Sequence, residues 1–169
     1  MKINAVTDPS FREYGQIVEG YDKEELLAIL RSEMEIAETM AYVGAAGALR
    51  VIQAFYPLLK KSSGTALVVS ISSEAGSIGT CYRTGMTDYA ITKAAVNMIT
   101  KTLWNVWKDD EDMNILCVHP GWVRTNEGNA LAPFDSYEQA ETLRLLFETI
   151  RNVKDGNLFL TYAGEVYPW

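Results

Sequence analysis

The clearest pattern along the chain is the apolar, largely β-branched run from Thr65 to Ile71, which contains no proline and no charge. It predicts a strand buried on both faces of a parallel sheet. Met113–Val118 predicts a second buried strand, Asn157–Tyr162 a last one, and Met1–Val6 the tail of another. Between these runs the apolar spacing changes to that of helices. Asp22 followed by Glu25 is a capping-box-like start, after which Leu26, Leu27, Leu30, Met34, Met40 and Val43 form a stripe that continues to Leu59. That is longer than an ordinary globular helix, so Gly44 and Gly47 are expected to mark a kink or a close helix contact. A helix over Asp88–Trp107 carries Ala90, Ala94, Val96, Ile99, Leu103, Val106 and Trp107 as its core stripe, and Asp109-Asp110-Glu111-Asp112 then reads as a solvated turn. Ser136 with Gln139 starts an amphipathic helix to about Val153, and Gly164 turns the chain toward Tyr-Pro-Trp. This alternation predicts one α/β domain with a parallel sheet flanked by helices.

Composition narrows the class. The chain has 169 residues, 48% of them hydrophobic, which fits a single globular domain over 1–169. Its formal charge of −7 argues against nucleic acid or an anionic membrane as the main partner, because either would select a basic face. The two cysteines, Cys81 in a loop and Cys117 in a strand, read as reduced thiols of a cytoplasmic protein. No signal peptide and no membrane-spanning run is seen, and no metal site is expected.

Candidate chemistry gathers where the first strand ends. Ser72 and Ser73 follow Ile71 at the carboxyl end of a parallel strand, where open α/β sheets form their ligand crevice. Tyr89 and Lys93 stand four apart at the start of the next helix, so the phenol and the ammonium share one face. A cation beside a phenol favours its ionised form, and Ser73 could hold a carbonyl oxygen. The same Tyr-x-x-x-Lys spacing recurs at Tyr56 and Lys60, but Pro57 is expected to break that helix face and no strand-end hydroxyl precedes it, so Tyr56 reads as core. His119 has no matched carboxylate or serine spacing and reads as structural.

Three blocks make the pattern specific: SISSEAGSIG, DYAITKAAVNMITKTL and ILCVHPGWVRT, in that order. Together with the C-terminal stretch from Gly156 to Trp169, they resemble the short-chain dehydrogenase/reductases, in the carbonyl-reductase-like and C-factor-like branch. The resemblance implies a Rossmann-like, doubly wound sheet and NAD(P)-dependent hydride transfer between a nicotinamide and a small carbonyl or alcohol substrate. It implies Ser73, Tyr89 and Lys93 as catalytic residues, with Lys93 lowering the Tyr89 pKa and holding the nicotinamide ribose. Tyr89, Lys93, Pro120, Gly121, Val123 and Thr125 would contact the cofactor. It further implies a homo-oligomer packed through the 88–107 helix. Gly44 falls where the family usually carries the Asn of its catalytic tetrad. The family's Thr-Gly-x-x-x-Gly-x-Gly turn is not found in the sequence, as if only the C-terminal two-thirds of the domain were present. The Thr65 strand is then expected near an open sheet edge. A non-catalytic interaction or signalling protein of C-factor-like descent is the alternative.

Overall fold

A computed structural model of the chain describes residues 39–125, 130–150 and 155–169. A π-helical turn, Tyr42–Ala46, leads into α1 (Gly47–Leu59). Then follow β1 (Ala66–Ile71), α2 (Thr87–Trp107), β2 (Met113–His119), α3 (Ser136–Thr149) and β3 (Phe159–Thr161). The strands lie in the order β1-β2-β3 and every pairing is parallel, with Ala66 opposite Met113, Ile71 opposite Val118 and Cys117 opposite Phe159. The expected strand over Met1–Val6 and the stripe from Leu26 to Met34 lie outside the described residues.

Side chains alternate across the pleat, so each strand feeds two cores. On one face Ala66, Val68, Met113 and Ile115 pack against Ile52 and Leu59 of α1 and Leu103 and Trp107 of α2. On the other, Leu67, Val69, Leu116, Val118, Leu158 and Leu160 pack against Leu143, Leu146 and Phe147 of α3 and Ile150 just beyond it. Burying one such aliphatic side chain stabilises the fold by roughly 1.5–3 kcal/mol. Helices on both faces of a parallel sheet make the architecture Rossmann-like.

The two long strands differ in burial. Ile115 to Val118 of β2 are fully buried, whereas Leu67, Val68 and Val69 of β1 are half-buried and Ile71 is 48% exposed. The reason is lateral: β2 has a neighbour on each side, and among the described residues β1 pairs with β2 alone. Among the described residues β1 stands at the end of the strand order, and the burial expected on both of its faces is incomplete.

Other expectations need correction. Gly44 does mark a close contact, since a β carbon there would collide with the Thr92 methyl of α2. Pro57 does not end its helix: it sits in the last turn of α1, where few bonds remain to be lost, and Lys60 and Lys61 N–H groups close that end on Tyr56 and Leu58. Tyr56 stacks on Trp107 with ring centroids 5.8 Å apart, yet it stays 38% exposed at the rim of the α1–α2 contact. Asp110 and Asp112 are more than a solvated turn, because Lys60 Nζ reaches them at 3.0 and 3.5 Å and ties the end of α1 to the α2–β2 connection. Val106 lies outside the α2 core stripe; the buried positions are Thr92, Val96, Asn97, Thr100 and Trp107. Threonines are tolerated there because their hydroxyls bond back to backbone, Thr92 to Asp88 at 2.9 Å and Thr100 to Val96 at 3.0 Å. The cap of α3 is Asp135 rather than Ser136, its carboxylate accepting the N–H groups of Tyr137 and Glu138 at 2.9 and 3.3 Å.

Candidate active site

The chain leaves β1 at Ile71, passes Ser72 and Ser73, and tightens into a 3-10 turn at Glu74–Gly76. Ser73 caps that turn, its Oγ accepting the Ala75 N–H at 3.2 Å. Helix α2 clamps the turn from one side. Ser72 Oγ donates to Asn97 Oδ1 at 2.5 Å, and Asn97 Nδ2 donates to the Gly76 carbonyl at 3.0 Å. Gly76 lies so near α2 that an added β carbon would stand 2.7 Å from the Lys93 carbonyl carbon, so no larger residue fits without moving backbone. Farther along, the Gly79 N–H donates to the Trp169 carbonyl at 2.6 Å and anchors the loop on the C-terminal stretch.

Tyr89 stands in the first turn of α2 and Lys93 one turn later. Tyr89 and Ser73 line the same cavity. Lys93 Nζ lies 5.5 Å from the Tyr89 ring centroid and donates to the Ile71 carbonyl at 3.0 Å. Ser73, Tyr89 and Lys93 thus meet at the carboxyl end of β1. Their electrostatics depart from expectation. Burial holds the Tyr89 phenol above its ordinary pKa; the Ser73 hydrogen bond opposes this, the Glu74 carboxylate adds to it and the Arg83 guanidinium opposes it. Lys93 is not among the groups that set it, and burial pushes the Lys93 ammonium itself below its usual range.

Three residues that sequence reasoning left out of the site complete its charge. Glu74, 8% exposed, accepts the Ser73 hydroxyl on Oε2 at 2.5 Å and pairs through Oε1 with Arg83. His119, the last residue of β2, brings Nδ1 to 3.6 Å from Glu74 Oε2. Burial alone would raise the Glu74 carboxyl, but hydrogen bonds from Ser73 and Arg83, with the charges of Arg83 and His119, bring it below the usual carboxylate range. Burial pushes the His119 imidazole down, against the pull of Glu74 and with the repulsion of Arg83. A signal did exist: Glu74 follows the strand-end serines directly, and Arg83 is the only basic residue between it and Tyr89.

Ser73, Glu74, Arg83, Tyr89 and His119 line a cavity of about 450 Å³, a size suited to a small ligand, whereas Lys93 is not among its lining residues. The loop after β2 adds Pro120, Gly121, Trp122, Val123 and Thr125 to the lining. This loop is held in place by Gln139 of α3, whose Nε2 donates to the Pro120 carbonyl at 2.5 Å, and by the Arg124 N–H donating to the Phe134 carbonyl at 2.8 Å. Cys117 is buried behind the site, its thiol pushed up to about 12 by burial, while Cys81 is exposed in the loop. Among the described residues, no helix is long and apolar enough to cross a membrane.

Comparison with known proteins agrees with this geometry. Residues 24–134 match the family model for short chain dehydrogenases. An uncharacterized oxidoreductase of Schizosaccharomyces pombe is 30% identical over 139 residues, covering 73% of this chain and 54% of the yeast protein. The C-signal protein of Myxococcus xanthus is 27% identical over 127 residues, 75% of each chain. Among solved structures, the NADPH-bound carbonyl reductase from chicken fatty liver superposes with a TM-score of 0.68 at 27% identity, over 80% of this chain and 57% of that one. The chain therefore spans about half the length of the yeast relative. The matched blocks, the parallel sheet and the Ser-Tyr-Lys cluster at the end of β1 lead to one conclusion: the chain belongs to the short-chain dehydrogenase family.

Proposed function

We propose that this chain carries the catalytic portion of an NAD(P)-dependent oxidoreductase that interconverts a small carbonyl compound and its alcohol. The observation that carries the reading is that Ser73 and Tyr89 line one ligand-sized cavity while Lys93 stands one helical turn beyond the phenol, its ammonium 5.5 Å from the Tyr89 ring centroid. Tyr89 exchanges the proton with the substrate oxygen, and Ser73 steadies that oxygen. Lys93, fixed on the Ile71 carbonyl, keeps an ammonium one helical turn from the phenol and is placed to hold a ribose hydroxyl.

The donor set fits the nicotinamide end of such a cofactor. Pro120, Gly121, Val123 and Thr125 offer backbone groups and one hydroxyl to the same cavity as Glu74, which has room for a ring. When bound there, a nicotinamide supplies or takes up the hydride. The protein's own part is to exclude water, orient the substrate oxygen and move one proton. NADPH is the first cofactor to try, because the chicken carbonyl reductase is bound to it. The reading extends to self-association through α2, whose outer stripe of Ile91, Met98 and Val106 is exposed.

The test uses the full-length protein, with oxidation of NADPH and NADH followed against a panel of aldehydes and ketones. Tyr89→Phe is expected to lower turnover by about 100-fold or more while cofactor binding persists. Turnover retained in Tyr89→Phe would overturn the assignment. A non-catalytic signalling role predicts that the substitution is silent, and nothing in such a role calls for a serine and a phenol lining one cavity with an ammonium one helical turn away.

A further inference from the structure

We infer that Tyr82 and Met86 are specificity-determining residues, and that with Trp122 and the Glu74–Arg83 pair they fit the cavity to an uncharged carbonyl compound bearing a ring. The inference rests on the oxidoreductase reading and deepens it by naming the substrate class. In the reduction, the carbonyl carbon gains a hydride from the reduced nicotinamide and the oxygen a proton from Tyr89, and the cofactor leaves oxidised. The carbonyl's substituents take no part in that step, so they are selected by what surrounds them.

Three large side chains share the cavity with Ser73 and Tyr89: Tyr82, Met86 and Trp122. Tyr82 and Met86 are 47% and 44% exposed, so a ligand that covers them removes aromatic and thioether surface from water. An unbranched thioether adapts to a flat ring and makes favourable sulfur contacts with its edge.

The backbone at Met86 supports the same reading. Among the described residues it is the one residue other than glycine with a positive φ, at φ 58° and ψ 41°, directly before α2. Glycine takes that conformation without steric penalty, whereas a β carbon crowds the chain. Such strain persists where the surroundings over-determine it. The Met86 carbonyl accepts the Ala90 N–H at 3.0 Å, and its sulfur accepts from Arg83 Nη1 at 3.5 Å. What a methionine adds over glycine there is a side chain at the cavity.

Charge decides the rest. Arg83 also pairs with Glu74 and lies 5.8 Å from the Tyr82 ring centroid, so one guanidinium ties both apolar residues to the carboxylate next to Ser73. Glu74 Oε2 stands 2.5 Å from Ser73 Oγ, the group proposed to steady the substrate oxygen. Among the described residues that line the cavity, Arg83 is the one permanent cation, and Glu74 already balances it. A carboxylate beside the reacting carbonyl would meet the Glu74 charge with no cation left to match it. An uncharged ligand disturbs neither partner.

The test compares three probes with the full-length protein: acetophenone; butanone, in which an ethyl group replaces the ring; and benzoylformate, in which a carboxylate replaces the methyl group. The kcat/KM for acetophenone should exceed that for butanone by about 10-fold or more and that for benzoylformate by about 100-fold or more. Equal values, or a preference for either other probe, overturn the inference. Met86→Gly, which suits the positive φ, and Tyr82→Ala should each lower the acetophenone-to-butanone ratio by about 10-fold. General damage to the fold lowers both values together, and a ratio unchanged in either variant overturns that residue's role. Binding is read separately by saturation-transfer NMR on acetophenone with NADP+ present, so that no reaction runs. Ring-proton signal should appear with the wild-type protein and be lost in Tyr82→Ala/Met86→Gly. No wild-type signal, or one unchanged in the double variant, sinks the inference, while turnover of butanone or benzoylformate then leaves the oxidoreductase reading standing. A signal that the double variant abolishes, in a protein that turns over none of the three, keeps the ring-binding site and sinks the oxidoreductase reading.

Discussion

Ser72 and Asn97 are joined at 2.5 Å, a hydroxyl at the end of β1 donating to an amide oxygen in the middle of α2. The same amide gives its N–H to the Gly76 carbonyl at 3.0 Å, so one side chain spans both ends of the turn that presents Ser73. Both bonds are buried, and neither partner has water to replace what is lost.

Asn97→Ala should therefore destabilise the protein by about 2–4 kcal/mol, the cost of leaving two buried polar groups unmatched. Urea denaturation would measure this. Turnover per folded molecule should fall as well, since the Ser73 turn loses its clamp; a variant with wild-type stability would show that the two bonds are not formed.

Much of this was legible in the chain. Ser73, Tyr89 and Lys93 could be placed together because strand periodicity, helix spacing and the three family blocks all speak through local sequence. Glu74, Arg83 and His119 were harder to see. Their association depends on a loop folding back so that residues nine and forty-five positions beyond Glu74 face its carboxylate, and no periodicity encodes that approach. The pKa of Tyr89 departs from expectation for a related reason: the i,i+4 rule puts Lys93 on the correct face, but it does not encode that the ammonium is drawn to the Ile71 carbonyl. Asn97 and Thr100 were passed over because a polar residue on a helix reads as solvent-facing until its buried partner is known.

Gly76→Ala tests the approach of the turn to α2. The added methyl would press on the Lys93 backbone at 2.7–2.8 Å, and backbone cannot rotate away as a side chain can. Overpacking of this kind costs about 1–3 kcal/mol. The thermal midpoint should drop, and unchanged stability would mean that the turn stands farther from the helix.

The outer stripe of α2 gives a separate prediction. Ile91 and Met98 are seven residues apart on one helix face and are 48% and 66% exposed. If two copies pair through this face, Ile91→Glu/Met98→Glu should convert the assembly to monomer, because burying carboxylates against a copy of themselves is strongly unfavourable. Light scattering on a sizing column reads the mass directly, and an unaltered mass would place any assembly elsewhere.

His119 predicts how stability responds to acid. Burial depresses its folded-state pKa below the ordinary value of 6.5, against the pull of Glu74 and with the smaller repulsion of Arg83. The stabilisation linked to a depressed pKa is complete above the unfolded value and is lost as pH falls toward the folded one, because only the unfolded chain takes up the proton. Stability should thus be flat near pH 7.5 and decline below about 6.5, by at most ~1.4 kcal/mol per pH unit. Glu74 does not confuse this window, since its carboxyl lies below the ordinary 4.5 and contributes only in stronger acid. His119→Asn should remove the slope between pH 6.5 and 5 while shifting the whole curve down through loss of the Tyr167 ring contact at 5.9 Å. The slope, not the offset, identifies the imidazole: chemical denaturation at several pH values that gave parallel curves for the two proteins would mean that His119 takes up its proton equally in both states.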